Sequence, residues 1–344
     1  MTGVTDPPEA LPGEEARHPG GVGVVELPGG LALEREEAIV PCRIGYEWVG
    51  NPTGPLVFVL GGISADRHVG SHVEADAPGW WDAFIGPEKA LDTRRLRVVG
   101  MDWIGGPGGS SGPMRAPGPE GIPAVTSGDQ AAAMAAVLDH LGVERAHGIV
   151  GASYGAMVGL AFGARFPERV DRIVAIAGAH ESHPMATALR SLQRRIVLFG
   201  YELGAAAEAV GIARELAMTT YRTAEEFRQR FSMEPYRKGE AYRFEVEDYL
   251  AHHGAKFAGR FDPAHFLTLC LSLDLHSVRP EDIWVPTTVL AVREDTLVPL
   301  WQMRELAERL GEFGELVEIS SLKGHDAFLV ETETVGEVVR GVVG

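Results

Sequence analysis

From Leu56 onward the chain alternates short, continuous apolar runs with longer stretches whose apolar residues recur at helical spacing. LVFVLGG (Leu56 to Gly62) is the first such run. It predicts a parallel strand buried on both faces that opens into a loop at its glycines. LRVVGMDW (Leu96 to Trp103), AHGIVGA (Ala146 to Ala152), VDRIVAIAG (Val170 to Gly178), TTVLAV (Thr287 to Val292) and ELVEIS (Glu315 to Ser320) have the same character. Between them, SGDQAAAMAAVLDHLG offers Ser127 and Asp129 as N-terminal caps and stops at Gly142, and LWQMRELAERLG stops at Gly311, as helices do. Strands alternating with helices imply an α/β fold with a mainly parallel sheet and right-handed crossovers. Upstream, VGVVELPGGLALE and AIVPCRIGYEWVG carry β-branched residues around Pro28-Gly29-Gly30, the pattern of antiparallel strands and a turn.

Two segments lack this alternation. Residues 1–21, rich in Pro, Gly and Glu, are expected to form a flexible tail. From 180 to 278 the strand signal gives way to Ala, Glu, Arg and Leu at helical spacing, which predicts a helical cap inserted into a core made of 22–179 and 279–344. No repeat of about 20 to 50 residues is present. Hydrophobic residues make up 45% of the 344, enough for a large buried core and too many for a disordered chain.

Charge narrows the function. The 31 basic and 48 acidic residues leave a formal net charge of −17, which disfavours a nucleic-acid partner. The amino-terminal stretch lacks the basic start and apolar centre of a signal peptide, and no stretch reaches the ~18 apolar residues of a membrane span. A soluble cytoplasmic protein without a membrane partner is expected. Cys42 and Cys270 are too few for a disulfide framework and are expected to act as small buried hydrophobes. No metal site is expected, because neither His180-Glu181-Ser182-His183 nor His252-His253 has the spacing of a zinc motif.

The chemistry concentrates in Gly151-Ala152-Ser153-Tyr154-Gly155, a G-x-S-x-G between an apolar strand and the small-residue helix AMVGLAFGARF. In that context the serine sits on a sharp strand-to-helix turn with its hydroxyl exposed at the strand's carboxyl end. Gly108-Gly109-Ser110-Ser111-Gly112 matches the same short pattern, but Pro113, Pro117 and Pro119 follow, so no helix starts there. It is assigned to a loop near the active site.

A nucleophilic serine needs a base and an acid that orients the base. Asp295 lies just past TTVLAV, and His325 follows ELVEIS in Gly324-His325-Asp326, which gives the order serine, acid, histidine on loops at strand carboxyl ends. Glu294 competes with Asp295 for the orienting role. The oxyanion hole is expected from the backbone N–H of Tyr154 and one from the Gly61-Gly62-Ile63 loop, so Gly62 and Ile63 join the candidate site. Trp80-Trp81 is expected to pack at the pocket edge.

These residues, with the stretch from Ala213 to Phe231 and the ending Gly324-His325-Asp326-Ala327-Phe328-Leu329, resemble the α/β-hydrolase-fold homoserine O-acyltransferases over nearly all of 56–331. The resemblance implies that Ser153, Asp295 and His325 pass an acyl group from coenzyme A to the hydroxyl of L-homoserine through an acyl-enzyme, in methionine biosynthesis, in a homodimer. No cofactor is implied beyond the acyl-CoA, which is a substrate. It also implies that Arg194 holds the amino-acid carboxylate and that Tyr221 and Asp326 lie near the amino acid. The Gly-Ala-Ser-Tyr-Gly-Ala-Met elbow and the short cap are similar to the succinyl-transferring branch rather than the acetyl-transferring one. A succinyl donor brings a second carboxylate that must be paired when buried, and Arg190, four residues before Arg194 on the same helix face, is its candidate partner. The alternatives are homoserine O-acetyltransferase, serine O-succinyltransferase and a simple serine esterase.

Overall fold

The computed structural model describes residues 18–75, 77–117 and 121–344. Eight strands form one sheet: β1 (Gly20–Leu27), β2 (Cys42–Gly50), β3 (Leu56–Leu60), β4 (Arg97–Met101), β5 (Gly148–Ala152), β6 (Ile173–Ile176), β9 (Thr287–Val292) and β10 (Gly314–Ile319). The two strands numbered between, β7 (Tyr236–Lys238) and β8 (Ala241–Arg243), pair only with each other. The main sheet runs β1-β2-β4-β3-β5-β6-β9-β10, with β1 and β2 antiparallel to their neighbours and every later pair parallel.

Period-2 alternation explains how one apolar run serves two layers. Phe58 and Leu60 of β3 face the cluster that holds α1 (Ser127–His140) and α2 (Tyr154–Arg165), including Met134, Leu138 and Phe162. Val57 and Val59 face the opposite cluster, built with Trp81, Phe84 and Val335, Val339 and Val343. Every residue of β3, β5, β6 and β9 is buried. The remaining elements are α3 (Pro184–Glu202), α4 (Ala206–Tyr221), α5 (Ala224–Arg230), α6 (Glu245–Ala258) and α7 (Pro263–Leu275), all between β6 and β9 in the chain. They are followed by α8 (Leu300–Arg309), α9 (Ala327–Val330) and α10 (Thr332–Val343).

The structure departs from the sequence expectations in four places. The tail was expected to reach residue 21; residues 1–17 lie outside the described ones, but Gly20 and Gly21 belong to β1, where they pair with Val49 and Trp48. The β1–β2 connection is longer than a turn at Pro28-Gly29-Gly30, because Leu27 pairs with Cys42 and the intervening chain closes through a Leu31–Ile39 bridge. The cap of α1 is Thr126, whose hydroxyl accepts from the Asp129 amide while the Asp129 carboxylate accepts from the Thr126 amide. Finally, the segment expected to be wholly helical holds the β7–β8 hairpin, turning at Gly239 with φ 66°. Cys42 and Cys270 are buried free thiols, and no helix among the described residues is long and apolar enough to cross a membrane.

Candidate active site

Ser153 joins β5 to α2 with φ 55° and ψ −115°, a left-handed conformation that costs a non-glycine residue on the order of 1–3 kcal/mol. Close packing on both sides holds it there. A Cβ on Gly151 would sit 2.2 Å from the Gly155 carbonyl oxygen, and one on Gly155 would sit 2.2 Å from the Leu60 carbonyl oxygen. The two glycines are therefore needed for backbone approach, while the strain itself rests on the serine.

The hydroxyl of Ser153 lies 2.9 Å from His325 Nε2, and His325 Nδ1 lies 2.7 Å from Asp295 Oδ2. With Nδ1–H donating to the carboxylate, Nε2 is left to accept the serine proton. Asp295 is fixed in turn, since its Oδ1 accepts from the amides of Leu297 at 2.8 Å and Val298 at 3.0 Å. His325 sits on a short turn opened by Gly324 at φ 56°. Burial by itself would lower the pKa of His325, but the Asp295 charge and hydrogen bond outweigh it and hold the imidazole above its usual range. Glu294, the competing acid, points elsewhere, with its carboxylate accepting from the Ser320 hydroxyl and, at 2.8 Å, from the Ser321 amide.

Tyr154 is the first residue of α2, so its amide has no intrahelical partner and faces out of the helix N-terminus beside Ser153. Its phenol is pinned far from that amide, 2.5 Å from Ser272 Oγ in a fully buried setting. Gly62 and Ile63 line the same cavity as Ser153 and His325. That cavity has a volume of about 360 Å³.

The polar wall is where sequence and structure part. Arg190 lines the cavity, with Nε 2.7 Å from Asp274 Oδ1. Arg194 was expected to hold a substrate carboxylate but does not line the cavity. Its Nη1 is 2.5 Å from Asp274 Oδ2 and 3.3 Å from the Cys270 carbonyl oxygen. One carboxylate thus holds two guanidinium groups, Arg190, which lines the cavity, and Arg194, which does not. Arg214, which the sequence reading passed over, lines the cavity instead. Its guanidinium lies over the rings of Tyr221 at 5.0 Å and Phe257 at 4.9 Å and donates to the Tyr221 hydroxyl at 3.3 Å. Among the described residues no carboxylate pairs with it. The available signal was position: Arg214 stands seven residues, two turns of α4, before Tyr221.

Tyr221 stacks on His325 with ring centroids 6.1 Å apart, and burial pushes its phenol pKa up. Asp326 lines the cavity and accepts from Arg222 Nε at 3.0 Å. Trp80 is part of the wall as well. The Gly108–Gly112 loop does not itself line the cavity. Ser110 donates to the Asp102 carbonyl at 2.6 Å and accepts from the Gly45 amide at 3.0 Å, so the loop is folded onto β2 and β4.

Comparison with known proteins follows the same lines. Residues 55–332 match the α/β hydrolase fold family. A homoserine O-succinyltransferase of Xanthomonas campestris pv. campestris is 40% identical over 97% of this chain and 84% of its own length. The chain belongs to the homoserine O-acyltransferases of the α/β-hydrolase fold. An L-serine/homoserine O-acetyltransferase of Streptomyces lavendulae is 35% identical over 92% of this chain and 95% of its own. The solved structure of esterase E22 superposes with a TM-score of 0.83 at 20% identity, covering 94% of this chain and all of the other. Relatives of this family thus differ in donor and acceptor, and the fold alone does not separate transfer from hydrolysis.

Proposed function

We propose that this chain is a homoserine O-succinyltransferase that works by double displacement through an acyl group on Ser153. The observation that carries the reading is the hydrogen-bonded Ser153–His325–Asp295 chain opening into a cavity whose wall supplies Arg214, a cation with no carboxylate of its own among the described residues. Buried guanidinium groups are stabilised by carboxylates, and a substrate can supply the one that is missing.

In the first half-reaction His325 Nε2 takes the Ser153 proton as Oγ attacks the thioester carbonyl of succinyl-CoA. The amide of Tyr154, with that of Ile63 beside Gly62, receives the developing oxyanion. The tetrahedral intermediate collapses, the coenzyme A thiolate leaves, and the imidazolium returns a proton to it. In the second half-reaction the homoserine hydroxyl gives its proton to His325 and attacks the ester carbonyl, and the imidazolium passes that proton to the leaving Ser153 Oγ as O-succinylhomoserine is released. Asp295 holds the imidazole in the tautomer both steps need. Arg214 receives the amino-acid carboxylate, Asp326 faces the ammonium and Tyr221 packs between them and His325. Arg190 faces the distal succinyl carboxylate. Arg260, exposed on the cavity wall without a carboxylate partner among the described residues, is the cation available to the donor's phosphates. No further cofactor is used. The enzyme acts in the cytoplasm in methionine biosynthesis, as a homodimer.

A thiol-release assay crossing succinyl-CoA and acetyl-CoA with homoserine and serine tests the assignment. The expected result is fastest turnover with succinyl-CoA and homoserine. A strong preference for acetyl-CoA or serine moves the protein to another member of the family, and acyl release that is as fast without an amino acid makes it an esterase.

A further inference from the structure

Outside the active site, three metal-ligating side chains converge at the antiparallel edge of the sheet. Glu47 lies on β2, while His68 and His72 come from the loop after β3. Glu47 Oε1, His68 Nδ1 and His72 Nε2 all lie within 4.8 Å of one another. Glu47 and His72 are buried and His68 is half-buried. None of the three lines the Ser153 cavity.

We propose that Glu47, His68 and His72 form a binding site for a divalent cation of the zinc class. Two imidazoles and a carboxylate are the borderline nitrogen and oxygen donors such an ion prefers. The orientation of His68 favours it as well. Its Nε2–H donates to the Ala77 carbonyl at 2.7 Å, as ligating histidines commonly do, so that the neutral ring turns its Nδ1 lone pair toward Glu47 Oε1. Two electron-pair donors in contact need a proton or a metal ion between them, and Arg67 Nε, 3.8 Å from Glu47 Oε2, reaches only the other oxygen of that carboxylate. His72 Nε2 reaches the same oxygen at 2.7 Å, so both rings aim at one point.

That point is not sealed. It opens on a cavity of about 240 Å³, whose wall also includes Glu74, which leaves room for water in the remaining coordination positions and gives the ion a way in. Binding asks for modest rearrangement. Zinc–ligand bonds of about 2.0–2.2 Å in a tetrahedron put ligand atoms about 3.3 Å apart. His72 must carry its proton on Nδ1 when Nε2 coordinates, so the Glu74 amide, which now donates to Nδ1 at 3.2 Å, has to turn away. The competing occupant is a proton, which would make the cluster a hydrogen-bonded clamp between loop and sheet.

The two are separated by titrating chelator-stripped full-length protein with zinc chloride in a calorimeter, and with cobalt(II) while following visible absorption. The expected result is one ion per chain, a cobalt spectrum of low-symmetry four- or five-coordination, and a melting temperature raised by zinc. His68→Ala, made at the half-exposed member, should weaken binding by at least about tenfold and remove the thermal shift. The cobalt spectrum of the wild-type protein decides the matter if that variant does not fold. Absence of stoichiometric binding by the wild-type chain, or equal binding by His68→Ala, overturns the proposal. Neither readout involves acyl transfer, so the outcome is independent of the activity proposed for Ser153.

Discussion

Replacing Arg214 by Gln tests which arginine receives the acceptor. The substitution keeps a polar side chain of moderate length over Tyr221 and Phe257 but removes the charge and the planar fork. A carboxylate that loses its charged partner in a desolvated site costs about 2–4 kcal/mol, which is roughly thirty- to several-hundred-fold in rate. Because Arg214 meets no carboxylate of the protein among the described residues, its loss leaves no buried acid stranded, and the cost should fall on the substrate. The loss should also be confined to one half-reaction. Burst loading of Ser153 by succinyl-CoA, read as acyl-enzyme mass, should proceed within about threefold of wild type, whereas homoserine-dependent discharge should fall by the full factor. Arg194→Gln is the control. Its guanidinium is bound to Asp274 and the Cys270 carbonyl, so the variant should lower thermal stability without a selective defect in discharge. An equal fall in both half-reactions for Arg214→Gln, or a discharge-specific defect in Arg194→Gln, would refute the assignment.

Ser153→Ala should abolish both acyl labelling and turnover, as mass spectrometry and thiol release will show. Asp295→Asn should slow loading by orders of magnitude, while Glu294→Gln should leave it near wild type. The acid limb of the loading rate should have its inflection above the ordinary histidine value of 6.5, since the base works only when neutral and Asp295 holds His325 protonated to higher pH. In Asp295→Asn the larger raising influence is gone, leaving burial opposed only by the more weakly acting Asp326, so the inflection should move to lower pH; an unmoved inflection would show that another group titrates. Arg190→Ala should weaken catalysis with succinyl-CoA by about 2–4 kcal/mol and spare acetyl-CoA; equal losses with both donors would mark a packing role, Asp274 keeping Arg194 as partner either way. Arg260→Gln should raise KM for succinyl-CoA several-fold and flatten its salt dependence, yet leave a short succinyl thioester without the nucleotide unchanged; matching losses for both donors would remove Arg260 from the phosphate site.

The chain's own pattern determined the sheet and the position of its loops. Apolar runs such as LVFVLGG and TTVLAV carry the parallel strands in any globular setting, because burial on both faces leaves no other place for them. Ser153, Asp295 and His325 follow directly, since each lies within a few residues of a strand's carboxyl end, and their meeting needs only the order in which those strands lie side by side. The elbow was legible for the same local reason. Its glycines are required by backbone contacts across Gly151 and Gly155, and the helix after them starts at once.

The polar wall was decided by tertiary packing. Arg190, Arg194 and Arg214 are alike as sequence, all arginines on amphipathic helices, and helical phase groups Arg190 with Arg194 without saying which way either points. Asp274 of α7 settles that by binding both from behind, while Arg214 lies over Tyr221 two turns along its own helix and is enclosed by Phe257 of α6. Glu47, His68 and His72 were likewise invisible as a group, because a strand and a distant loop supply them. Local chemistry fixes which residues can act; the direction a side chain takes depends on which face of its helix or loop is covered by neighbours that are distant in sequence, and that is settled only when the helices pack.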